Sequence, residues 1–130
     1  MISPNRQLMR RVLIVEDDEP LADVIAEVLT FENCDADFAP NALEALQRLD
    51  AGDYDAILCD VLMPRMSGEE FFRLVCQRHP HLRDRMLFMT GTTTIRSGLT
   101  DFLVGTGLPL LEKPFTVEQL RAALRELWSR

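Results

Sequence analysis

Residues 56–68 of this chain read AILCDVLMPRMSG, an apolar run that leads through an aspartate into a loop with a proline and a glycine. The apolar run Ala56–Cys59 has the length of a buried strand, and Asp60 stands where that strand opens into a loop. A carboxylate beside an apolar core is costly unless it finds a partner. We therefore expect Asp60 to be a functional residue with cations close to it.

Apolar runs of strand length alternate with helical patterns along the chain, which indicates a parallel sheet with crossover helices. The predicted strands are Val12–Val15, Cys34–Phe38, Ala56–Cys59, Met86–Met89 and Leu108–Leu111. Five strands and five helices in strict alternation predict a doubly wound α/β fold with helices on both faces. The polar second strand suits a sheet edge, so we expect the flavodoxin-like strand order 2-1-3-4-5.

Helix signals support this alternation. Pro20 suits the first position of the first helix, and Asp18 before it is interpreted as a capping acid. The pairs Ser67 with Glu70 and Thr116 with Gln119 have capping-box spacing. The segment 92–106 is poorly patterned, and we expect a short or mobile fourth helix there.

Charged side chains follow three of the predicted strands. Glu16 and Asp17 follow the first strand, Asp60 the third and Lys113 the fifth. In the order 2-1-3-4-5 the first and third strands are neighbours, and ligands bind outside their carboxyl ends. Because carboxylates suit Mg²⁺, we predict a magnesium site in which Asp17, Asp60 and the Leu62 carbonyl are direct ligands and Glu16 acts through water.

Such a site also suits chemistry on Asp60. A bound metal screens the negative charge of Asp60 and holds the phosphoryl group of a donor in line for attack. The carboxylate can then act as a nucleophile toward phosphorus. Lys113 would supply a second positive charge from the opposite side. Thr90, which ends the fourth apolar run, would offer its hydroxyl to a phosphoryl oxygen.

Four motifs in order resemble the receiver domain of two-component response regulators over nearly the whole chain. They are VEDD (15–18), DVLMP with SG (60–64 and 67–68), MTG (89–91) and KPF (113–115). The resemblance implies that Asp60 is the phosphoacceptor, Thr90 the switch hydroxyl and Lys113 the phosphate-contacting lysine. It also implies that Glu16 and Asp17 form the acid pair and that the peptide bond before Pro114 is cis.

The resemblance further implies the partners. A sensor histidine kinase or a histidine phosphotransfer protein would donate the phosphoryl group, and the chain would catalyse only its own phosphorylation and dephosphorylation. One position departs from the family pattern: Leu110 stands where an aromatic switch residue is usual. Residues 103–114 are also similar to receivers attached to hybrid sensor kinases.

Two alternatives stay open. A Mg²⁺-dependent phosphatase or phosphotransferase of the haloacid dehalogenase type also uses an aspartyl nucleophile on a doubly wound sheet. Such an enzyme would need the motif Asp-x-Asp-x-Thr after the first strand, and neither Asp17 nor Asp60 begins that motif. It would also need a cap domain, for which we expect no spare length in this sequence. A degenerate receiver that acts only as a binding module is the second alternative, and the complete set of acids, threonine and lysine argues against it.

Composition narrows the class of protein. A net charge of −7 disfavours direct binding to nucleic acid, which needs clustered Lys and Arg. The apolar runs are too short to insert into a membrane. Cys34, Cys59 and Cys76 lack metal or redox spacing, which is typical of reduced cysteines in a cytoplasmic protein.

The length of 130 residues suits one domain, with residues 1–9 as a flexible N-terminal extension. His79 and His81 are expected at the surface and outside any metal site. Homodimer formation stays open from sequence alone.

Overall fold

The computed structural model describes residues 9–63, 65–91 and 100–130. The strands are β1 (Arg10–Val15), β2 (Cys34–Ala39), β3 (Ala56–Asp60), β4 (Met86–Thr90) and β5 (Leu110–Glu112). The helices are α1 (Glu19–Phe31), α2 (Ala42–Ala51), α3 (Gly68–Arg78), α4 (Thr100–Thr106) and α5 (Val117–Trp128). A single 3₁₀ turn, Pro80–Leu82, lies between α3 and β4.

The five strands form one parallel sheet in the order β2-β1-β3-β4-β5. Both the flavodoxin-like fold and the strand order predicted from sequence are therefore confirmed. The polar strand β2 is at one edge, and β5 is at the other. The carboxyl ends of β1 and β3 lie side by side, which is where the predicted acidic residues stand.

The helix starts follow the predicted capping signals. Asp18 Oδ1 accepts a hydrogen bond from Leu21 N at 3.2 Å, and Ser67 Oγ accepts one from Glu70 N at 3.1 Å. Thr116 and Gln119 form a reciprocal capping box at the start of α5. Pro20 is the second residue of α1 and not the first, because Asp18 is the cap and Glu19 begins the helix.

The largest difference from prediction is at β5, which begins at Leu110 and not at Leu108. Gly107 has a φ of +68°, and Pro109 lacks the N–H that a strand would need for pairing. Leu108 is nevertheless buried. The expected fourth helix is present as α4, but residues 92–99 of that prediction lie outside the described residues, as do residues 1–8 of the predicted extension.

Two apolar cores cover the two faces of the sheet. Side chains such as Leu13 and Phe88 point to the face covered by α2, α3 and α4, while Ile14 and Leu58 point to the face covered by α1 and α5. Central strands are thus buried on both sides, which explains their continuous apolar runs. Within the described residues, no helix is long and apolar enough to span a bilayer.

An aromatic trio holds α4 against the sheet. The Phe102 ring of α4 lies 5.6 Å from the Phe72 ring of α3 and 5.9 Å from the Phe88 ring of β4, in edge-to-face geometry. Phe72 and Phe88 are themselves 6.0 Å apart. Such ring pairs add attraction beyond the burial of their area.

The cysteines and histidines fit their predicted roles with one correction. Cys34, Cys59 and Cys76 are free, and the first two are buried. His81 is exposed, but the His79 side chain is partly buried, and its Nε2 lies 2.8 Å from Asp50 Oδ1. His79 therefore joins the ends of α2 and α3 and is not a plain surface residue.

Two phenylalanines test where the stability resides. Phe71 of α3 is fully buried against the sheet, whereas Phe31 at the end of α1 is 81% exposed. We expect Phe71→Ala to lower the free energy of unfolding by about 3 to 5 kcal/mol. The matched variant Phe31→Ala should change it by less than about 0.5 kcal/mol. Urea unfolding of both variants measures this, and similar losses would contradict the assignment of the core.

Candidate functional site

One lysine joins two strand ends across the edge of the sheet. Glu16 directly follows β1, Asp60 ends β3, and Lys113 directly follows β5. Lys113 Nζ donates hydrogen bonds to Asp60 Oδ2 at 2.8 Å and to Glu16 Oε2 at 2.9 Å. The prediction that these residues meet at the carboxyl edge of the sheet thus agrees with the geometry.

The loop after β3 holds Asp60 from the other side. Leu62 N donates to Asp60 Oδ1 at 3.0 Å, so both carboxylate oxygens have a partner. The loop is closed by Gly68 N, which donates to Val61 O at 3.1 Å. A Cβ atom at position 68 would lie only 3.0 Å from Val61 Cα, so any other residue there would push the Val61 backbone away by a few tenths of an ångström.

Three carboxylates gather beside the lysine. Oxygen atoms of Glu16, Asp17 and Asp60 all lie within 4.8 Å of one another. Glu16 and Asp60 are buried, while Asp17 is exposed and opens the cluster to solvent. Hard oxygen donors with one side open to water fit Mg²⁺, which usually keeps several of its waters.

Burial and mutual repulsion govern the charges in this cluster. The pKa of Glu16 is raised to about 6, because burial, the largest cause, and the charge on Asp60 together outweigh the hydrogen bond from Lys113, which lowers it. Burial alone would lower the pKa of Lys113, but its bonds to Asp60 and Glu16 outweigh that cost and raise it. Lys113 is therefore a charged partner at neutral pH.

Thr90 connects the fourth strand to the lysine. It ends β4 next to β3, its side chain is buried, and its carbonyl accepts a hydrogen bond from Lys113 N at 2.6 Å. The Lys113-Pro114 bond is cis, as the resemblance implied. Thr90, Asp60 and Lys113 therefore stand on three adjacent strand ends.

Some contacts at the site were missed from sequence. The bond between Glu16 and Lys113 was not predicted, because Glu16 was assigned to the metal and Lys113 to the phosphoryl group. The backbone N–H of Leu62 was also missed, since only its carbonyl was considered. The Ser67-Gly68 pair in the loop motif was the available signal for the tight packing on Val61.

The sheet is flavodoxin-like, and the edge formed by the carboxyl ends of its strands carries an acidic cluster and a lysine. Together these features define a class of domains whose site is built around one aspartate. Residues 12–125 match the family described as the response regulator receiver domain. The chain belongs to this family, whose members are the phosphoacceptor modules of two-component signalling.

Individual relatives agree with this assignment. The transcriptional regulatory protein TcrA of Mycobacterium tuberculosis is 34% identical over 123 residues, which cover 92% of this chain and 46% of TcrA. The transcription factor SKN7 of Chaetomium thermophilum is 33% identical over 127 residues, which cover 96% of this chain and 16% of SKN7. The chain thus spans about half of TcrA and a smaller part of SKN7.

Solved structures show the same fold. The chemotaxis response regulator CheY4 of Vibrio cholerae superposes with a TM-score of 0.78 at 28% identity, covering 92% of this chain and 98% of CheY4. A response regulator receiver domain protein from Clostridium thermocellum has a TM-score of 0.78 at 21% identity, covering 94% of this chain and 96% of that protein. The second likeness concerns the fold alone.

The raised pKa of Glu16 predicts a pH-dependent stability difference. The folded state binds the Glu16 proton more tightly than the unfolded state does, so this proton stabilises the fold. The stabilisation is complete below the ordinary pKa of 4.5, and it is lost as the pH rises through about 6. Glu16→Gln keeps a neutral side chain at every pH. We therefore expect this variant to be more stable than the parent by about 1 kcal/mol at neutral pH, and the difference should vanish at low pH.

Urea unfolding with a chelator present, at a series of pH values, measures this difference. Glu27→Gln, which alters an exposed acid in the middle of α1, is the control variant. A stability difference between Glu16→Gln and the parent that does not change with pH would contradict the explanation.

Proposed function

We propose that this chain accepts a phosphoryl group on Asp60 in a Mg²⁺-dependent reaction and passes on the phosphorylated state through a protein interface. The observation that carries the proposal is the pair of hydrogen bonds from Lys113 to Asp60 and Glu16. This arrangement keeps a nucleophilic carboxylate beside a fixed positive charge and an acidic cluster. It is the chemistry that phosphoryl transfer to an aspartate requires.

The acidic cluster would hold the metal. Asp17 and Asp60 would be direct ligands, the Leu62 carbonyl would complete the protein ligands, and Glu16 would act through water. When bound, Mg²⁺ neutralises charge on the transferring phosphoryl oxygens. The exposed side chain of Asp17 leaves room for the waters that the ion retains.

The transfer itself is a displacement at phosphorus. A carboxylate oxygen of Asp60 forms a bond to phosphorus while the bond from phosphorus to a histidine nitrogen of the donor breaks. The imidazole nitrogen leaves with the electron pair. The donor would be the phosphohistidine of a sensor histidine kinase or of a histidine phosphotransfer protein.

Lys113 and Thr90 would act on the product. Lys113 already contacts Asp60 Oδ2, so its ammonium group can follow the new negative charge on the phosphoryl oxygens. Thr90 stands at the adjacent strand end and would donate its hydroxyl to a phosphoryl oxygen. Leu110, which is 41% exposed on β5, has no ring with which to report that step.

The proposal also covers the scope of the protein. The 130 residues would form one receiver domain, and the chain would catalyse only its own phosphorylation and dephosphorylation. It would work in the cytoplasm without binding nucleic acid through this domain, in line with the net charge of −7. The output interface would bind either another protein or a second copy of the domain.

The alternatives have less support. A haloacid dehalogenase would place its nucleophile after the first strand, whereas Asp60 with its lysine partner ends the third. A binding module without phosphoacceptor activity would not need a charged lysine between two buried carboxylates. Labelling of Asp60 separates this last alternative from the proposal.

We expect acetyl phosphate with Mg²⁺ to label the protein once, at Asp60, because this carboxylate has both Lys113 and the acidic cluster within reach. Intact mass and peptide mapping identify the site. Asp60→Asn should abolish labelling, whereas Asp53→Asn, which alters an exposed acid before β3, should not. Labelling that persists in Asp60→Asn, or that needs no divalent cation, would disprove the assignment.

Asp17 and Asp18 should differ in their effect on the affinity for Mg²⁺. Asp17 belongs to the acidic cluster, whereas Asp18 caps α1 through Leu21 N. We expect Asp17→Asn to weaken Mg²⁺ binding by at least about tenfold, since it removes a charged oxygen ligand. Asp18→Asn should have little effect, since asparagine also caps helices. Calorimetric Mg²⁺ titrations compare the two, and equal losses would contradict the ligand assignment.

A further inference from the structure

A cavity of about 290 Å³ lies at the end of the sheet opposite Asp60. The helices of this fold run against the strands, so α2 and the 3₁₀ turn after α3 end where β3 and β4 begin. The cavity opens between these ends, and its lining includes the polar side chains of Asp50, Asp53, His79 and His81. All four stand apart from the acidic cluster.

One imidazole and one carboxylate of this cavity already face each other. His79 Nε2 lies 2.8 Å from Asp50 Oδ1, although the two residues are 29 positions apart in the chain. Two ligand atoms bound to one zinc ion at bond lengths of about 2.0 Å lie roughly 3.3 Å apart. A cation can therefore replace the hydrogen between these two atoms after they separate by about half an ångström.

A second imidazole stands beside the first. The ring centroids of His79 and His81 lie 6.2 Å apart, and the two rings are nearly perpendicular at 82°. Two imidazoles on one tetrahedral zinc ion would have their centroids roughly 5 Å apart. The His79 side chain is only 17% exposed, whereas His81 is exposed. The His81 ring can therefore turn toward an ion that His79 and Asp50 hold.

The remaining charges of the cavity leave one carboxylate oxygen for a cation. Arg78 Nη1 contacts Asp50 Oδ2 at 3.3 Å, so it orients the carboxylate from the side away from Oδ1. Asp53 is exposed in the lining, and its negative charge offsets that of the arginine. Tyr54 also lines the cavity, but its hydroxyl donates to Asp37 Oδ2 at 2.6 Å and is committed there.

We propose that Asp50, His79 and His81 bind a divalent cation of the zinc class, with Asp53 or water as the fourth ligand. Two imidazole nitrogens and one or two carboxylate oxygens form a ligand set that suits Zn²⁺, and Ni²⁺ and Cu²⁺ also accept it. Mg²⁺ prefers oxygen ligands alone, which the acidic cluster provides. The two kinds of cation therefore have separate sites.

The fold brings together what the sequence keeps apart. From sequence both histidines were expected outside any metal site, and Asp50 reaches them only because α2 and α3 end side by side. A bound ion would fasten the end of α2 to the turn that leads into β4. Asp60 takes no part in this site, so the proposal does not rest on phosphoryl transfer.

Calorimetric titration of the untagged protein with Zn²⁺ tests the proposal, with excess Mg²⁺ present to occupy the acidic cluster. We expect one Zn²⁺ ion to bind per chain. The chain has two histidines, so their ring signals can be followed individually by NMR. Both ring signals should shift during the titration, together with the amides of residues 49–54 and 79–82.

Matched variants show which side chains hold the ion. His81→Gln and Asp50→Asn each remove a ligand, and each should weaken Zn²⁺ binding by about tenfold or more. Glu44→Gln alters an exposed acid on the same helix as Asp50, and Cys76→Ser removes the half-buried thiol of α3. Both of these should leave the Zn²⁺ affinity unchanged. Circular dichroism and labelling of Asp60 verify that all four variants remain folded and active.

Three results would overturn the proposal. The first is a lack of Zn²⁺ binding when Mg²⁺ is in excess, because Zn²⁺ would then have only the acidic cluster. The second is an unchanged Zn²⁺ affinity in His81→Gln, which is exposed and can be replaced without disturbing the core. The third is a loss of affinity in Cys76→Ser as large as that in Asp50→Asn, since it would assign the ion to the thiol.

Discussion

The hydrogen bonds from Lys113 Nζ to Asp60 and Glu16 are the interaction on which the site depends. They join residues separated by 53 and 97 positions, and they tie together the ends of β1, β3 and β5. Without this cation, two buried carboxylates would face each other with only an exposed third acid nearby. Removing one partner of a buried charge pair is costly, because the remaining charge stays buried without compensation. The order of the strands is what brings these three residues together.

The surrounding structure fixes the position of this cluster. The central strands are packed on both faces, so their ends move little relative to one another. The loop after β3 is held closed by the contact of Gly68 with Val61 and by the bond from Leu62 N to Asp60. The Asp60 carboxylate is therefore held by its strand, by the loop after it and by Lys113. Rigid scaffolds fix the geometry of a site in this way.

Sequence reasoning succeeded where the signal was local or periodic. The alternation of apolar runs predicted the parallel sheet, and the polar second strand predicted its order. That order in turn predicted that Glu16, Asp17 and Asp60 converge, and they do lie together. It failed where the outcome depends on contacts between distant residues, such as the bond from Lys113 to Glu16 or the pairing of His79 with Asp50. Strand β5 begins two residues later than predicted, because Leu108 and Pro109 are apolar like a strand but Pro109 has no N–H to donate to a neighbouring strand.

The aromatic trio has a consequence for how signals could travel. Helix α4 has only seven residues, and isolated helices of that length are not stable in water. Its placement therefore relies on tertiary anchors such as the Phe102 ring against Phe72 and Phe88. Phe88 stands two residues before Thr90 on β4. Phe88 therefore links the strand that ends at Thr90 directly to α4, and this link involves no ring on β5.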